Sequence, residues 1–152
     1  MMARRISRRI VFDRLEWIEQ MLVKINALPL ENREDFFSDE RNIWTVESCL
    51  RRALEALLDV GRHILAKQFA SGITEYKQIA TELQRQGVLN PEEGGILRTL
   101  AGYRNRMVHF YHEIGPDELY QIAKTNLDDI RKIASAIMGW IEEHPEFVQD
   151  DL

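Results

Sequence analysis

The chain has 152 residues, 45% hydrophobic and 30% charged, with a formal net charge of −5. Such a chain suits one soluble domain with a core of its own, and its acidity argues against an extended nucleic-acid-coating surface while leaving room for a small basic cleft. The single Cys49 excludes a disulfide framework and a multi-cysteine zinc site, and fits a reduced, cytoplasmic protein.

The N-terminal Met1–Arg9 segment is basic but lacks the apolar run of a signal peptide. No stretch of about 18 apolar residues occurs, so no membrane span is expected. Ser7 is placed to cap a first helix that runs to about Leu28 and stops at Pro29. Ile10, Leu15, Ile18, Met21, Leu22 and Ile25 form its apolar stripe. Arg4, Arg5, Arg8 and Arg9 crowd its start, where the helix dipole disfavours cations; they read as a frayed arm or a phosphate-contacting one. Residues 29–40 read as a polar connection with a short helical turn at Arg33–Phe37.

A long helix follows from about Asp39 to Phe69, burying Ile43, Val46, Leu50, Ala53, Leu57, Val60 and Ile64. His63, beside Asp59 and Arg62, reads as a satisfied helical histidine rather than a ligand. Ala70-Ser71-Gly72 ends this helix. Thr74 with Lys77 is a weak capping pattern for a shorter helix to about Gln86, with Tyr76, Ile79, Ala80 and Leu83 inward and Gly87 beyond its end. Asn90-Pro91-Glu92-Glu93 is a strong start for the next helix, which carries Ile96, Leu97, Leu100 and Ala101 and ends by Gly115-Pro116. A last helix is expected from about Asp117 to Glu143, closed by Pro145 and followed by a solvated acidic tail. The expectation is all-α: an up-and-down bundle of four long helices and one shorter one, a single domain over 1–152 with flexible ends at 1–6 and 145–152.

The densest chemistry lies between Gly102 and Glu113, which hold Tyr103, Arg104, Asn105, Arg106, His109, Tyr111 and His112. On a helix of about 3.6 residues per turn, Arg104 falls on the face of Leu97, Leu100, Ala101 and Val108, with Tyr111 about 20° away. A guanidinium at an apolar position needs a partner, a cleft or a subunit interface. Asn105 and His109 are four apart and stack on another face, about 140° round from Arg104 in the case of His109. One site holding both requires a helix distortion or a second chain.

Arginine, histidine and an amide suffice to cleave RNA without metal. Histidine, with an ordinary pKa of about 6.5, can take the 2′-OH proton or protonate the 5′-oxygen, and the guanidinium can stabilise the anionic transition state. On residue types alone, a structural Arg/His helix terminus is the favoured reading over a catalytic site. A metal held by His109, His112 and Glu113 is a third, weakened by the lack of Cys or Asp companions at ligand spacing. No phosphate loop, dinucleotide-binding glycine pattern or nucleophile elbow is present. Neither a metal nor a cofactor is expected.

The pattern Arg104-Asn105-x-x-x-His109-x-Tyr111 resembles the Arg-x4-His-x-Tyr signature of the HepT-like branch of the HEPN superfamily. The resemblance spans about residues 8–142, including Val46-Glu47-Ser48-Cys49-Leu50, Leu57 to Leu65, and Gly87-Val88-Leu89-Asn90-Pro91. It implies a helical bundle that dimerises through the motif helix and acts as a metal-independent endoribonuclease toxin. By the resemblance, Arg104 and His109 are the catalytic pair, Asn105 supports them, and Tyr111 is the residue modified with AMP groups by a minimal nucleotidyltransferase antitoxin. Arg106 and His112 are further RNA-binding candidates. Two other functions compete: a non-catalytic nucleotide- or substrate-binding subunit of a nucleotidyltransferase complex, and a purely structural dimer.

Overall fold

The computed structural model describes residues 5–108 and 114–152. Of the residues singled out above, Arg4, His109, Tyr111, His112 and Glu113 lie outside this range. In chain order the elements are β1 (Ile6–Ser7), α1 (Arg8–Asn26), α2 (Arg33–Phe37), α3 (Glu40–Phe69), α4 (Tyr76–Arg85), α5 (Pro91–Val108), α6 (Pro116–Thr125), α7 (Leu127–Glu143), a 3₁₀ turn (Pro145–Phe147) and β2 (Val148–Gln149). The expected all-α bundle is what forms.

The hub is α3, whose 30 residues span about 45 Å and pack against all six other helices. Its buried residues surround more than one face, from Val46 through Leu50, Leu54, Leu57, Leu58 and Gly61 to Leu65. That breadth is what a helix at the centre of a bundle requires. Asp39 caps it by accepting from the Arg41 N–H at 3.0 Å. Ala70 closes it in the left-handed region, with φ of 50°. Gly61 allows close contact with α4: a Cβ there would lie 2.8 Å from Leu83 Cδ1 and 3.0 Å from Ile79 Cγ2.

Three sequence expectations need correction. Ile10 is exposed, and Val11 is the buried member of the α1 stripe, because the inward series runs 11, 18, 21, 22 and 25. Thr74 does not cap α4; the cap position is Glu75, without a side-chain hydrogen bond. The last helix is two helices that meet at Asn126. There Thr125 donates its hydroxyl to the Gln121 carbonyl at 2.7 Å, and the Asn126 amide donates to Asp129 at 3.0 Å. Such local side-chain bonds offer the backbone an alternative to continuing the helix.

The two ends of the described chain meet. Ile6 is fully buried, and β1 pairs in parallel with β2, Ile6 opposite Val148 and Ser7 opposite Gln149. Asp151 accepts from the Ser7 hydroxyl at 2.5 Å and the Arg9 N–H at 2.8 Å. These bonds hold its carboxyl below the usual range, that from Ser7 foremost. Trp140, His144 and Phe147 stack beside this clamp. Segments that the sequence reads as a frayed arm and a solvated tail thus contact each other from Ile6 onward.

His63 completes the clamp: its Nε2 accepts the Ser7 N–H at 2.9 Å, so the ring is neutral with its proton on Nδ1. Burial and then Lys67 push its pKa down, against a weaker opposing pull from Asp151. A depressed histidine stabilises the fold above its ordinary value, and that contribution is lost as pH falls through the folded-state value. We therefore expect His63→Ala to cost about 1 kcal/mol near neutrality. The difference between wild type and variant in urea melts should hold above about pH 6.5 and shrink as pH falls below it. Gly61→Ala should also destabilise by roughly 1 kcal/mol, because overpacking of about 1–3 kcal/mol exceeds a helix-propensity gain of about 1 kcal/mol.

Candidate functional site

Helix α5 is aimed by its start. Glu93 N–H donates to Asn90 Oδ1 at 2.8 Å, and Asn90 N–H donates to Glu93 Oε1 at 2.9 Å, a reciprocal cap. Gly94 lets α4 come close, since a Cβ there would lie 2.3 Å from Gln84 Oε1. Leu97, Leu100 and Ala101 then pack into the core. Beyond Ala101 the burial stops: no residue of 102–108 is fully buried, although Tyr103, Met107 and Val108 are among them.

Arg104 sits at that transition, on the inward face as its spacing requires. Its side chain is 18% exposed, and its Nε lies 3.6 Å from Glu55 Oε1. Its guanidinium carbon stands 4.6 Å from the centroid of the Tyr76 ring. The cation therefore rests against a carboxylate and an aromatic face, the two environments that best compensate a half-buried guanidinium. Glu55 also accepts from Arg51 at 3.0 Å, so one carboxylate lies between two arginines.

Tyr76 is held in turn. Its hydroxyl donates to Asp59 at 3.2 Å, and Asp59 pairs with Arg62, whose guanidinium carbon is 5.7 Å from the Tyr76 ring. Burial first, and then the Asp59 charge, push the Tyr76 phenol pKa up, outweighing the pull of Arg104 and Arg62. Tyr76 thus stays a neutral ring flanked by two guanidinium groups. A concavity of about 240 Å³ opens here, lined by Arg62, Thr74, Glu75, Tyr76, Arg104 and Asn105. It offers cationic donors, an amide and a tyrosine ring, a set suited to a phosphate group and the sugar or base beside it.

Arg104 and Asn105 therefore share one concavity, although a helical wheel puts them on different faces. Arg106 turns the other way. It makes a two-pronged pair with Glu118 of α6, at 2.7 and 2.8 Å, which holds the Glu118 carboxyl below its usual range. His109 follows α5 directly in sequence, and it, Tyr111 and His112 lie outside the described residues. Among the described residues no three His, Cys, Asp or Glu side chains are placed to hold a metal ion, and no helix is long and apolar enough to cross a membrane.

Sequence reasoning missed Glu55, Asp59 and Arg62 as site residues, because charged faces of α3 read as solvated surface. It also took Tyr76 for a core position. The available signal was their spacing: Glu55, Asp59 and Arg62 fall on one face at i, i+4 and i+7.

Comparison with known proteins bears on this arrangement. The family described as Ribonuclease HepT-like matches residues 14–137. The chain is 26% identical over 139 residues to a tRNA nuclease HepT of Aphanizomenon flos-aquae, covering 89% of this chain and 95% of that one. Among solved structures it is similar to the tri-AMPylated HEPN toxin of Shewanella oneidensis in complex with MNT antitoxin. That match has a TM-score of 0.76 at 22% identity and covers 86% of this chain and 97% of the other. It is also similar to YutE of Bacillus subtilis, described as a cytosolic protein of unknown function, with a TM-score of 0.75 at 21% identity, over 94% and 95% of the two chains. With the family matched over most of its length and the Arg104 concavity at the end of α5, the chain belongs to the HepT-like ribonuclease family.

Proposed function

We propose that this chain is a metal-independent endoribonuclease, the toxin of a two-component toxin–antitoxin pair, working in the cytoplasm with Arg104 and His109 as its catalytic residues. The observation that carries the reading is the anchoring of Arg104: a cation that leads the Arg-x4-His-x-Tyr pattern is set against Glu55 and the Tyr76 ring at the mouth of a concavity. In this reading the guanidinium stabilises the charge that develops on the phosphorus oxygens when the 2′-oxygen attacks. His109 moves the proton, and Asn105 orients its ring. Glu55 and Tyr76 are positioning residues that fix the guanidinium, and the Tyr76 ring also lines the concavity.

The catalytic pair is best served by two chains. The end of α5 presents Tyr103, Met107 and Val108 without full burial, which supports dimerisation through this helix. A second copy brings a second His109, so acid and base can come from different subunits. The description of the Shewanella protein as tri-AMPylated and bound to an MNT antitoxin supports a nucleotidyltransferase partner for this chain as well. Nucleotides added to Tyr111 would place negative charge beside Arg104 and compete with RNA for it.

Arg104→Ala and His109→Ala should each lower RNA cleavage at least a hundredfold and relieve the growth arrest caused by expression without the partner. Tyr76→Phe, which keeps the ring, should stay near wild type, whereas Tyr76→Ala should lower kcat about tenfold with a smaller change in KM. A wild-type chain that leaves RNA intact, or an Arg104→Ala variant at full rate, contradicts the assignment. Incubated with its nucleotidyltransferase partner and ATP, the chain should gain whole AMP masses that disappear in Tyr111→Phe. An unchanged mass would remove the regulatory half of the proposal.

A further inference from the structure

One side of α3 carries a groove that no catalytic role accounts for. Arg14 and Trp17 of α1 face Arg51, Arg52, Glu55, Ala56 and Asp59 of α3 across a concavity of about 340 Å³. Next to it, Trp44, Glu47, Ser48 and Arg51 line a second of about 260 Å³. Arg51 belongs to both. Glu55 links the first hollow to Arg104 and Asp59 links it to Tyr76, so the first hollow lies beside the Arg104 concavity and the second continues it through Arg51. From Trp44 to Arg62 the track is about 27 Å long, by the rise of an α-helix.

Two features of the track are unusual for this surface. Trp17 is 41% exposed and Trp44 60% exposed, on either side of Arg51. The two rings bracket an arginine and give the groove flat faces on which a base can stack. The charge is also reversed from that of the whole molecule. Arg14, Arg51, Arg52, Arg62 and Arg104 outnumber Glu47, Glu55, Asp59 and Glu75, in a chain of net charge −5.

We propose that this groove is the binding track for single-stranded RNA leading to the Arg104 site, with bases stacked on Trp17 and Trp44 and phosphates beside Arg14, Arg51 and Arg52. Aromatic faces interleaved with arginines bind any base sequence by stacking, and the cations follow the backbone. A helix from a protein partner would look instead for an apolar stripe at i, i+3, i+4 and i+7. Here only the two tryptophans are apolar and exposed, with arginines and carboxylates between them. The inference rests on the ribonuclease reading, but it concerns where the strand lies rather than how it is cut.

The test is fluorescence anisotropy with a labelled 2′-O-methyl oligonucleotide of about 12 nucleotides. It cannot be cleaved by this chemistry, because it lacks the free 2′-hydroxyl, and it spans more than one OB-type footprint of about 4 nucleotides. Trp17→Ala and Trp44→Ala should each weaken binding about tenfold, and Trp17→Phe should retain most of the affinity. The double variant Arg14→Ala/Arg52→Ala should lower the slope of log affinity against log salt by about 1.4, since each phosphate contact contributes about 0.7. Arg131→Ala, a cation paired with Glu19 away from the groove, should leave binding unchanged. Unchanged affinity in both tryptophan-to-alanine variants overturns the proposal. So does their conversion to a smaller species in sedimentation, which would assign the face to a protein interface. Cleavage of ordinary RNA is measured separately. A chain that cleaves but whose tryptophan variants bind normally loses only the track, and a chain that binds through the track but never cleaves loses only the ribonuclease reading.

Discussion

The structure turns on holding one guanidinium where the sequence pattern asks for an apolar side chain. Arg104 extends the buried series Leu97, Leu100 and Ala101 by a further turn, and its side chain is mostly withdrawn from water. A cation so placed is tolerable only if the protein replaces its hydration. Glu55 supplies charge and Tyr76 supplies a ring face. Glu55 is itself shared with Arg51, and the Tyr76 phenol remains uncharged. What results is a fixed, partly dehydrated positive charge at the edge of a concavity. Such a charge acts strongly on an anion brought beside it, because little reorganisation is needed at the moment of reaction.

The rest of the bundle makes that placement possible. Glu55, Asp59 and Arg62 come from the middle of α3, the helix that every other helix touches. Tyr76 is the first residue of α4, and α4 can approach α3 closely because residue 61 is glycine. Arg104 comes from α5, aimed by the Asn90–Glu93 cap and kept close to α4 by Gly94. Three helices thus each contribute one part of the site, and their spacing is set by small residues and caps some distance from it. The terminal clamp of Ser7, His63 and Asp151 ties the ends of the chain onto the same α3 a short way further along.

Much of this was legible in the sequence. Ser7, Asp39, Asn90 and Pro91 read as helix starts because capping chemistry is local, and each helix they open begins where expected. Arg104 stood out because a cation breaks a 3.6-residue apolar period, a signal contained within a few turns. Its partners did not stand out, since Glu55 lies far away in sequence and its face of α3 looks like ordinary surface. The break at Asn126 was hidden for the opposite reason: the apolar series Leu119, Ile122, Leu127, Ile130 runs straight through it, and the local bonds of Thr125 and Asn126 decide the outcome. The β1–β2 pairing was invisible because two-residue strands are too short to show alternation. The exposed Trp17 and Trp44 gave no sequence signal, as each fits a helical surface until the neighbouring helix shows what lies across from it.

If Arg104 and His109 act as proposed, the RNA's own 2′-oxygen is the nucleophile and no metal takes part. The most direct measurement is the chemical form of the cut ends, read by mass spectrometry after digestion of a defined RNA in excess chelator. The account predicts continued cleavage that leaves a 2′,3′-cyclic phosphate on one fragment and a 5′-hydroxyl on the other. Cleavage abolished by the chelator, or fragments bearing 5′-phosphates, would contradict it.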